Sequence, residues 1–382
     1  MSFLLTEEQR MIQTMAAGFA REVLEPTAAQ RDRTKEFPAE NLARMAELGF
    51  LGMMVPEAYG GVGLDAISYS LALTEIAYAC ASTAVIMSVH NSNACEPIAR
   101  FGSEEQKRKV LTRLASGEAI GCFAMTEPEA GSDPASQKTT AVKDGADWVI
   151  NGTKRFITTG ANAGYCLLTA VTDKAKRHRG ITVFIVETQT PGFIVGKAED
   201  KMGLRASDTV EIILEDCRVA EAMVLGQPGM GFTVAMSAMD SGRIGIASQS
   251  LGVAQAALDQ AVAYMQERIQ FNRPIAHHQG LRFKIADLAT EIEAARGLTL
   301  AAAAQKDRGE RYTQAASMAK LYASEMVNRV VYACLQIFGG YGYMKEFPIE
   351  RLFRDARVFT IYEGTSEIQR LIIANHLLGR MD

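Results

Sequence analysis

Between two long helical tracts the chain reads Lys143-Asp144-Gly145-Ala146-Asp147-Trp148-Val149-Ile150-Asn151-Gly152-Thr153. Lys143 to Ala146 and Ile150 to Thr153 both carry type I′ hairpin signals, because Gly and Asn tolerate the positive φ that such turns require. Around them, from about Ala119 to Val219, the apolar period is two, with further strands expected at Tyr165–Thr172, Ile181–Glu187 and Thr209–Val219. About 100 residues in this pattern make a compact antiparallel barrel or sandwich.

On both sides the period is helical. Thr6, with Glu8 and Gln9 behind it, reads as an N-cap, and Ile12, Met15, Phe19 and Val23 follow at three- and four-residue spacing. Ser103-Glu104-Glu105-Gln106 is a capping box. Beyond the turn-rich Gly226 to Gly231, Ile244, Ala247, Leu251, Ala254, Leu258, Val262 and Met265 form one stripe, and Pro274 is expected to end that helix. Two Ala-rich helices follow at about Gln279–Asp307 and Tyr312–Phe338, the composition of close-packed bundle helices. The expected fold is mainly α with a central β domain: an N-terminal helical domain (1–117), a middle antiparallel β-barrel or sandwich (118–228) and a C-terminal four-helix bundle (229–382).

Composition narrows the function. With 40 Lys plus Arg against 44 Asp plus Glu, the net charge of −4 offers no footprint for a nucleic-acid backbone. The six cysteines (80, 95, 122, 166, 217, 334) and five histidines show no zinc spacing, so reduced core thiols and no protein-bound metal are expected. The uncharged run Ile76 to Cys95 holds Ser, Thr, His and Asn and reads as buried helix, not a membrane span. Met1 to Glu8 shows no targeting segment, which points to an intracellular protein using an organic cofactor or none. Gly61-Val62-Gly63-Leu64-Asp65-Ala66 imitates a dinucleotide fingerprint, but no βαβ unit surrounds it; it reads as a loop capping a helix at Asp65.

Three segments are more polar and glycine-rich than structure alone requires. Cys122 to Asp133 is a strand opening into a turn with free amides and hydroxyls. Gln336 to Tyr343 closes a long helix on glycines. In Ile361 to Gln369, Thr365 caps the last helix and Glu363 sits on a glycine hinge just before it, where burial would lift its pKa toward that of a general base.

Taken together, and in this order, the three segments resemble those of the acyl-CoA dehydrogenase family over Leu5 to Leu378, with the second motif running through Glu346, Arg351 and Asp355. The short-chain (butyryl-CoA) branch is the most similar, through Cys80 to Val89, Gly242 to Gln249 and Ile361 to Leu371. The resemblance implies FAD-dependent α,β-dehydrogenation of an acyl-CoA. Glu363 takes the α-proton, the β-hydrogen leaves as hydride to the flavin, and the Glu363 amide and a ribityl hydroxyl hold the thioester oxygen. In isovaleryl-type relatives the base comes from the position before the Arg of an Asp-x-x-Arg segment; here that position is Gly242, leaving Glu363.

Carried over residue by residue, the resemblance sets Phe123, Met125, Thr126 and Ser132 along the flavin and its pyrophosphate, and Phe156, Ile157 and Thr158 against the isoalloxazine. Phe156 replaces the usual Trp and loses an indole N–H. Arg268, Phe271, Gln279, Gln336, Gly339 and Gly340 match residues reaching a neighbouring subunit's FAD, which implies a homotetramer built as a dimer of dimers; Asn272 stands where Gly is usual. Thr365 and Glu367 complete the FAD set, and Ser132, Asp240, Arg243 and Gly364 match CoA and thioester positions. Ala84 stands where glutaryl-CoA members carry an Arg, which argues against a dicarboxylyl substrate. Electron-transfer flavoprotein is the implied acceptor, in the bacterial cytoplasm or, if a leader has been removed, the mitochondrial matrix. Branched-chain or cyclic acyl-CoA dehydrogenation and an oxidase-like flavoenzyme are the alternatives. A nitroalkane-oxidase-like enzyme would carry Asp at the base position, and a helical scaffold or DNA-associated relative is disfavoured by the acidic balance and the intact Glu363.

Overall fold

The computed structural model describes residues 5–379, so the N-terminal reading over Met1 to Leu4 lies outside it. Its sheet holds β1 (Gly121–Ala124), β2 (Thr140–Asp144), β3 (Asp147–Thr158), β4 (Tyr165–Val171), β5 (Ile181–Glu187), β6 (Phe193–Ala198), β7 (Thr209–Ala220) and β8 (Val224–Leu225). The order is β6-β7-β3-β2-β4-β5-β8, with β1 beside β4. Asp144 pairs with Asp147 around a two-residue turn. Of the two, Gly145 alone has positive φ (62°), one fewer than a type I′ turn requires.

Asn151-Gly152 does not reverse the chain. It lies inside β3, where the register against β7 slips between Ile150 and Gly152. Gly152 takes φ 149°, and a Cβ there would stand 2.5 Å from Thr139 Oγ1. Asn151 and Asp216 exchange hydrogen bonds across the slip: Asn151 Nδ2 donates to Asp216 Oδ1 (3.0 Å) and Asp216 N to Asn151 Oδ1 (2.8 Å). The dipeptide therefore supplies a bulge, because β7 continues alongside to absorb it. The sheet also departs from wholly antiparallel pairing: β1–β4 and β2–β4 are parallel. Both pairs are separated by long excursions of chain, which parallel pairing needs.

The expected caps are present. Thr6 and Gln9, and Ser103 and Gln106, form capping boxes, and Asp65 accepts from Ser68 N (2.6 Å). The Gly231–Glu267 helix runs 37 residues, about 55 Å at ~1.5 Å per residue. It stops seven residues before Pro274, where Arg268 turns extended and the Ile269–Gln270 and Arg273–Pro274 strands form a small hairpin. Phe271 and Asn272 both take positive φ at its tip (54° and 60°), a conformation Asn tolerates, so the turn survives without the usual glycine. The next helices are Gln279–Asp307 and Thr313–Phe338.

Both helical parts share one core, in which Leu24, Phe50 and Leu73 pack with Leu251, Val327 and Phe359. The sheet has its own core around Trp148, Ile150 and Phe184, and a third cluster joins Leu111 and Leu114 to Tyr165 and Ile185. The Ile349–Ala356 helix fastens all three parts. Arg354 pairs with Asp32 (2.7 Å) and donates to Met202 O (3.1 Å), while buried Asp355 accepts from Leu204 N (2.5 Å). Among the described residues, no helix is long and apolar enough to cross a membrane.

Candidate active site

Glu363 stands beside the helical core, between a short turn (Arg357–Thr360) and the Ser366–Leu378 helix, which Thr365 caps by accepting from Ile368 N (3.3 Å). Glu363 takes φ 53° and Gly364 φ 86°. A non-glycine residue in that region stores ~1–3 kcal/mol and persists only when its surroundings hold it. Three bonds do so: Gln369 Nε2 donates to Glu363 O (3.1 Å) and Gly364 O (3.0 Å), and Lys320 Nζ donates to Gly364 O (2.7 Å).

The carboxylate is half-satisfied. Asn93 Nδ2 donates to Oε1 (3.0 Å), whereas Oε2 is buried and has no hydrogen-bond partner among the described residues. Burial pushes the Glu363 pKa up to about 7, against the opposing pull of Arg243, Asn93 and Lys320. Asn93 comes from a π-helical turn, Val89–Cys95, inside the run that reads as plain buried helix in sequence. The signal was its polarity: His90, Asn91, Ser92 and Asn93 are all buried, an unusual set without a task.

Gly242 completes the pocket. A Cβ there would lie 2.8 Å from Glu363 Oε2 and 3.0 Å from its Cδ, so any side chain at position 242 would push the Glu363 carboxylate aside. Gly242→Ala is expected to displace the carboxylate and reduce kcat by about 10²-fold with the fold retained, as measured by turnover and circular dichroism. Next along the helix, Arg243 is buried and paired with Asp240, which also accepts from Thr313 Oγ1 (2.6 Å). Burial presses the Arg243 pKa down, and its Nε is unpartnered.

The sheet carries a second group of the expected site residues. A register slip between Lys154 and Ile157 re-aims Phe156, which takes φ 58° and leaves 61% of its surface exposed beside buried Ile157. Phe123, Met125, Thr126 and Thr158 are half-buried, and Ser132 is exposed on the following loop. Beneath them lies a network that sequence reasoning missed: fully buried Lys154 pairs with Glu127 (2.7 Å) and donates to Met125 O (3.2 Å), Gln137 Oε1 (3.2 Å) and Thr169 Oγ1 (3.3 Å). Burial alone would raise the Glu127 pKa, but Lys154 and the amides of Lys138 and Thr139 hold it below the usual range; burial drives Lys154 down to about 8.

Arg268, Phe271, Gln336, Gly339 and Gly340 gather elsewhere, around a cavity of about 740 Å³ that Tyr264 and Tyr341 also line. Gln279 is exposed at the start of its helix, outside that lining. Phe271 (87%) and Tyr343 (83%) are strongly exposed at this end. Gly242 and Arg268 lie 26 positions apart along one continuous helix, a separation of about 39 Å. The cavity is therefore remote from Glu363, whereas Thr365 and Glu367 stay beside it.

A paired-helix half, a sheet insert and a helical bundle make up a three-domain architecture, with the Glu363 carboxylate buried between helices. Residues 6–118, 122–217 and 229–378 match the N-terminal, middle and C-terminal domains of acyl-CoA dehydrogenase. The chain is 50% identical to the short-chain specific acyl-CoA dehydrogenase, mitochondrial, of Mus musculus, covering 98% of this chain and 91% of that one. The butyryl-CoA dehydrogenase structure from Megasphaera elsdenii superposes with a TM-score of 0.97 at 43% identity, over 99% of this chain and all of that one. A chain of the structure described as the electron transferring flavoprotein of Acidaminococcus fermentans superposes with a TM-score of 0.98 at 46% identity, over the whole of both. The protein belongs to the acyl-CoA dehydrogenase family and is an oxidoreductase of acyl-CoA dehydrogenation.

Proposed function

We propose that the chain binds FAD and dehydrogenates a short-chain acyl-CoA to the trans-2-enoyl-CoA, with Glu363 removing the α-proton. The observation that carries this is Glu363 itself: one carboxylate oxygen anchored by Asn93, the other buried and unpartnered, on a carboxylate whose basicity burial has raised. A general base is most effective with its pKa near the working pH. Glu363 N–H makes no intrachain hydrogen bond among the described residues, so it is free to donate to the thioester oxygen, where charge develops as the α-proton leaves.

The residues fit an isoalloxazine. The exposed Phe156 ring, held at positive φ by its bulge, offers a flat apolar face, and Thr159 Oγ1 close by is buried without a partner. Phe123, Met125, Thr126, Ser132, Ile157 and Thr158 would hold the cofactor, with Thr365 and Glu367 on the base side. FAD in that place supplies the acceptor for the β-hydrogen as hydride. Ser132, Asp240, Arg243 and Gly364 would meet CoA and the thioester; because Asp240 neutralises Arg243, Arg243 serves as a donor and adds little net charge. Buried Ala84 gives a distal carboxylate no cation to pair with, which favours a plain acyl chain.

The remote cavity supports a homotetramer, a dimer of dimers. Arg268 lies about 39 Å along the helix from Gly242, so Arg268, Phe271, Gln336, Gly339 and Gly340, with Gln279 at the start of the next helix, would serve a neighbouring subunit's FAD. Electron-transfer flavoprotein is the proposed acceptor, which the likeness to the Acidaminococcus fermentans chain supports. The test is an anaerobic panel of straight, branched and cyclic acyl-CoA substrates followed by flavin bleaching. Butyryl-CoA is expected to react fastest; a branched or cyclic substrate outpacing it would overturn the short-chain assignment. Because the base must be ionised, kcat/KM is expected to rise with pH, reach half its plateau near pH 7 and level off above.

A further inference from the structure

We infer that Lys320 is the positioning residue of the base loop: its ammonium, donating to Gly364 O from the neighbouring helix, fixes the Glu363 backbone and adds to Arg243 a second cation that favours the carboxylate form. The inference rests on Glu363 being the base. Lys320 is completely buried in the Thr313–Phe338 helix, and among the described residues its side chain makes a single hydrogen bond, to Gly364 O (2.7 Å). Among the described residues no carboxylate touches it, an unusual state for a buried cation, which ordinarily has a contact partner. The nearest compensation is Glu363, one residue from the carbonyl it holds.

The groups facing this pair come from every neighbouring element. Arg243 and Asp240 on the Gly231–Glu267 helix neutralise each other, and Glu325 and Glu367 act on Lys320 from its own helix and from the C-terminal one. Glu363, for its part, acts on the Tyr69 and Tyr362 hydroxyls and raises their pKa values further. Arg243 and Lys320 thus both favour the Glu363 carboxylate, and Lys320 differs from Arg243 in having no contact acid among the described residues. Burial drives Lys320 down to about 7 as it drives Glu363 up to about 7, and each charge favours the other, with Arg243 and Asn93 also favouring the Glu363 carboxylate. The same ammonium, with Gln369, clamps the positive-φ backbone, so orientation and acidity of the base are set by one side chain.

The test uses FAD-loaded Lys320→Gln and Lys320→Met, each read by the pH profile of kcat/KM with butyryl-CoA and by infrared titration of the buried carboxyl C=O band, assigned by its loss in Glu363→Gln. Both variants are expected to move the acid limb and the infrared midpoint alkaline by about one unit or more, the size of effect an opposite charge nearby produces. Lys320→Gln, whose amide can still donate to Gly364 O, is expected to keep a higher plateau kcat than Lys320→Met. A uniform fall in kcat with both midpoints unmoved would overturn the inference and leave Lys320 a packing residue. Should Lys320→Met fail to fold, Lys320→Gln decides alone. If Glu363→Gln leaves turnover intact, the base assignment fails instead, independently of either lysine variant.

Discussion

Glu363→Gln is expected to reduce turnover by about 10²–10⁴-fold, the range general base catalysis supplies, while FAD and acyl-CoA still bind. The amide keeps the shape and can still meet Asn93, so the loss isolates proton removal from loop geometry. The same substitution is expected to make the fold more stable in alkaline solution. Burial raises the Glu363 pKa in the folded chain to about 7 from the ordinary 4.5, so the folded state binds this proton more tightly than the unfolded one does. Ionised Glu363 therefore weakens the fold progressively between about pH 4.5 and 7, and fully above that. At pH 8 and equal FAD loading, Glu363→Gln is expected to exceed wild type by ~1–3 kcal/mol in denaturant unfolding, a difference that fades below pH 4.5. Equal stability at pH 8 would mean the carboxylate is solvated and not poised as described.

Lys154→Met carries the second large effect. It leaves Glu127 buried without its cation and removes the donor to Met125 O, the strand end that would face the flavin. Removing one member of a buried pair costs ~3–5 kcal/mol, and the double variant Lys154→Met/Glu127→Gln is expected to recover most of it. Urea unfolding of the three proteins checks this. A loss below about 1 kcal/mol for Lys154→Met would show the pair to be as weak as a surface one.

Local chemistry explains what the sequence could show. The hairpin at Asp144 to Asp147, the caps at Thr6, Asp65 and Ser103, and the long bundle helices are read from neighbours within a turn or two, and all are present. Glu363 draws notice in the sequence as a carboxylate on a glycine hinge beside a helix cap, and its proposed role comes from the family resemblance and not from that spacing alone. What escaped is long-range. Asn93 meets Glu363 across 270 positions, and Lys320 meets Gly364 across 44. The fate of Asn151-Gly152 depended on whether β7 continued beside it, and the early end of the Gly231–Glu267 helix on a hairpin that Pro274 closes but does not start. No spacing rule sees such partners; they exist only once the chain has folded.

Glu363 as the base of a flavin-dependent acyl-CoA dehydrogenase is tested most directly by anaerobic mixing with butyryl-CoA, wild type and Glu363→Gln side by side, with flavin absorbance followed in time. The expected result is rapid bleaching of the wild type with enoyl-CoA formed, and a variant that binds the thioester yet stays yellow. A wild type that holds FAD and stays oxidised with every acyl-CoA, or a variant that bleaches as fast as wild type, would contradict the account.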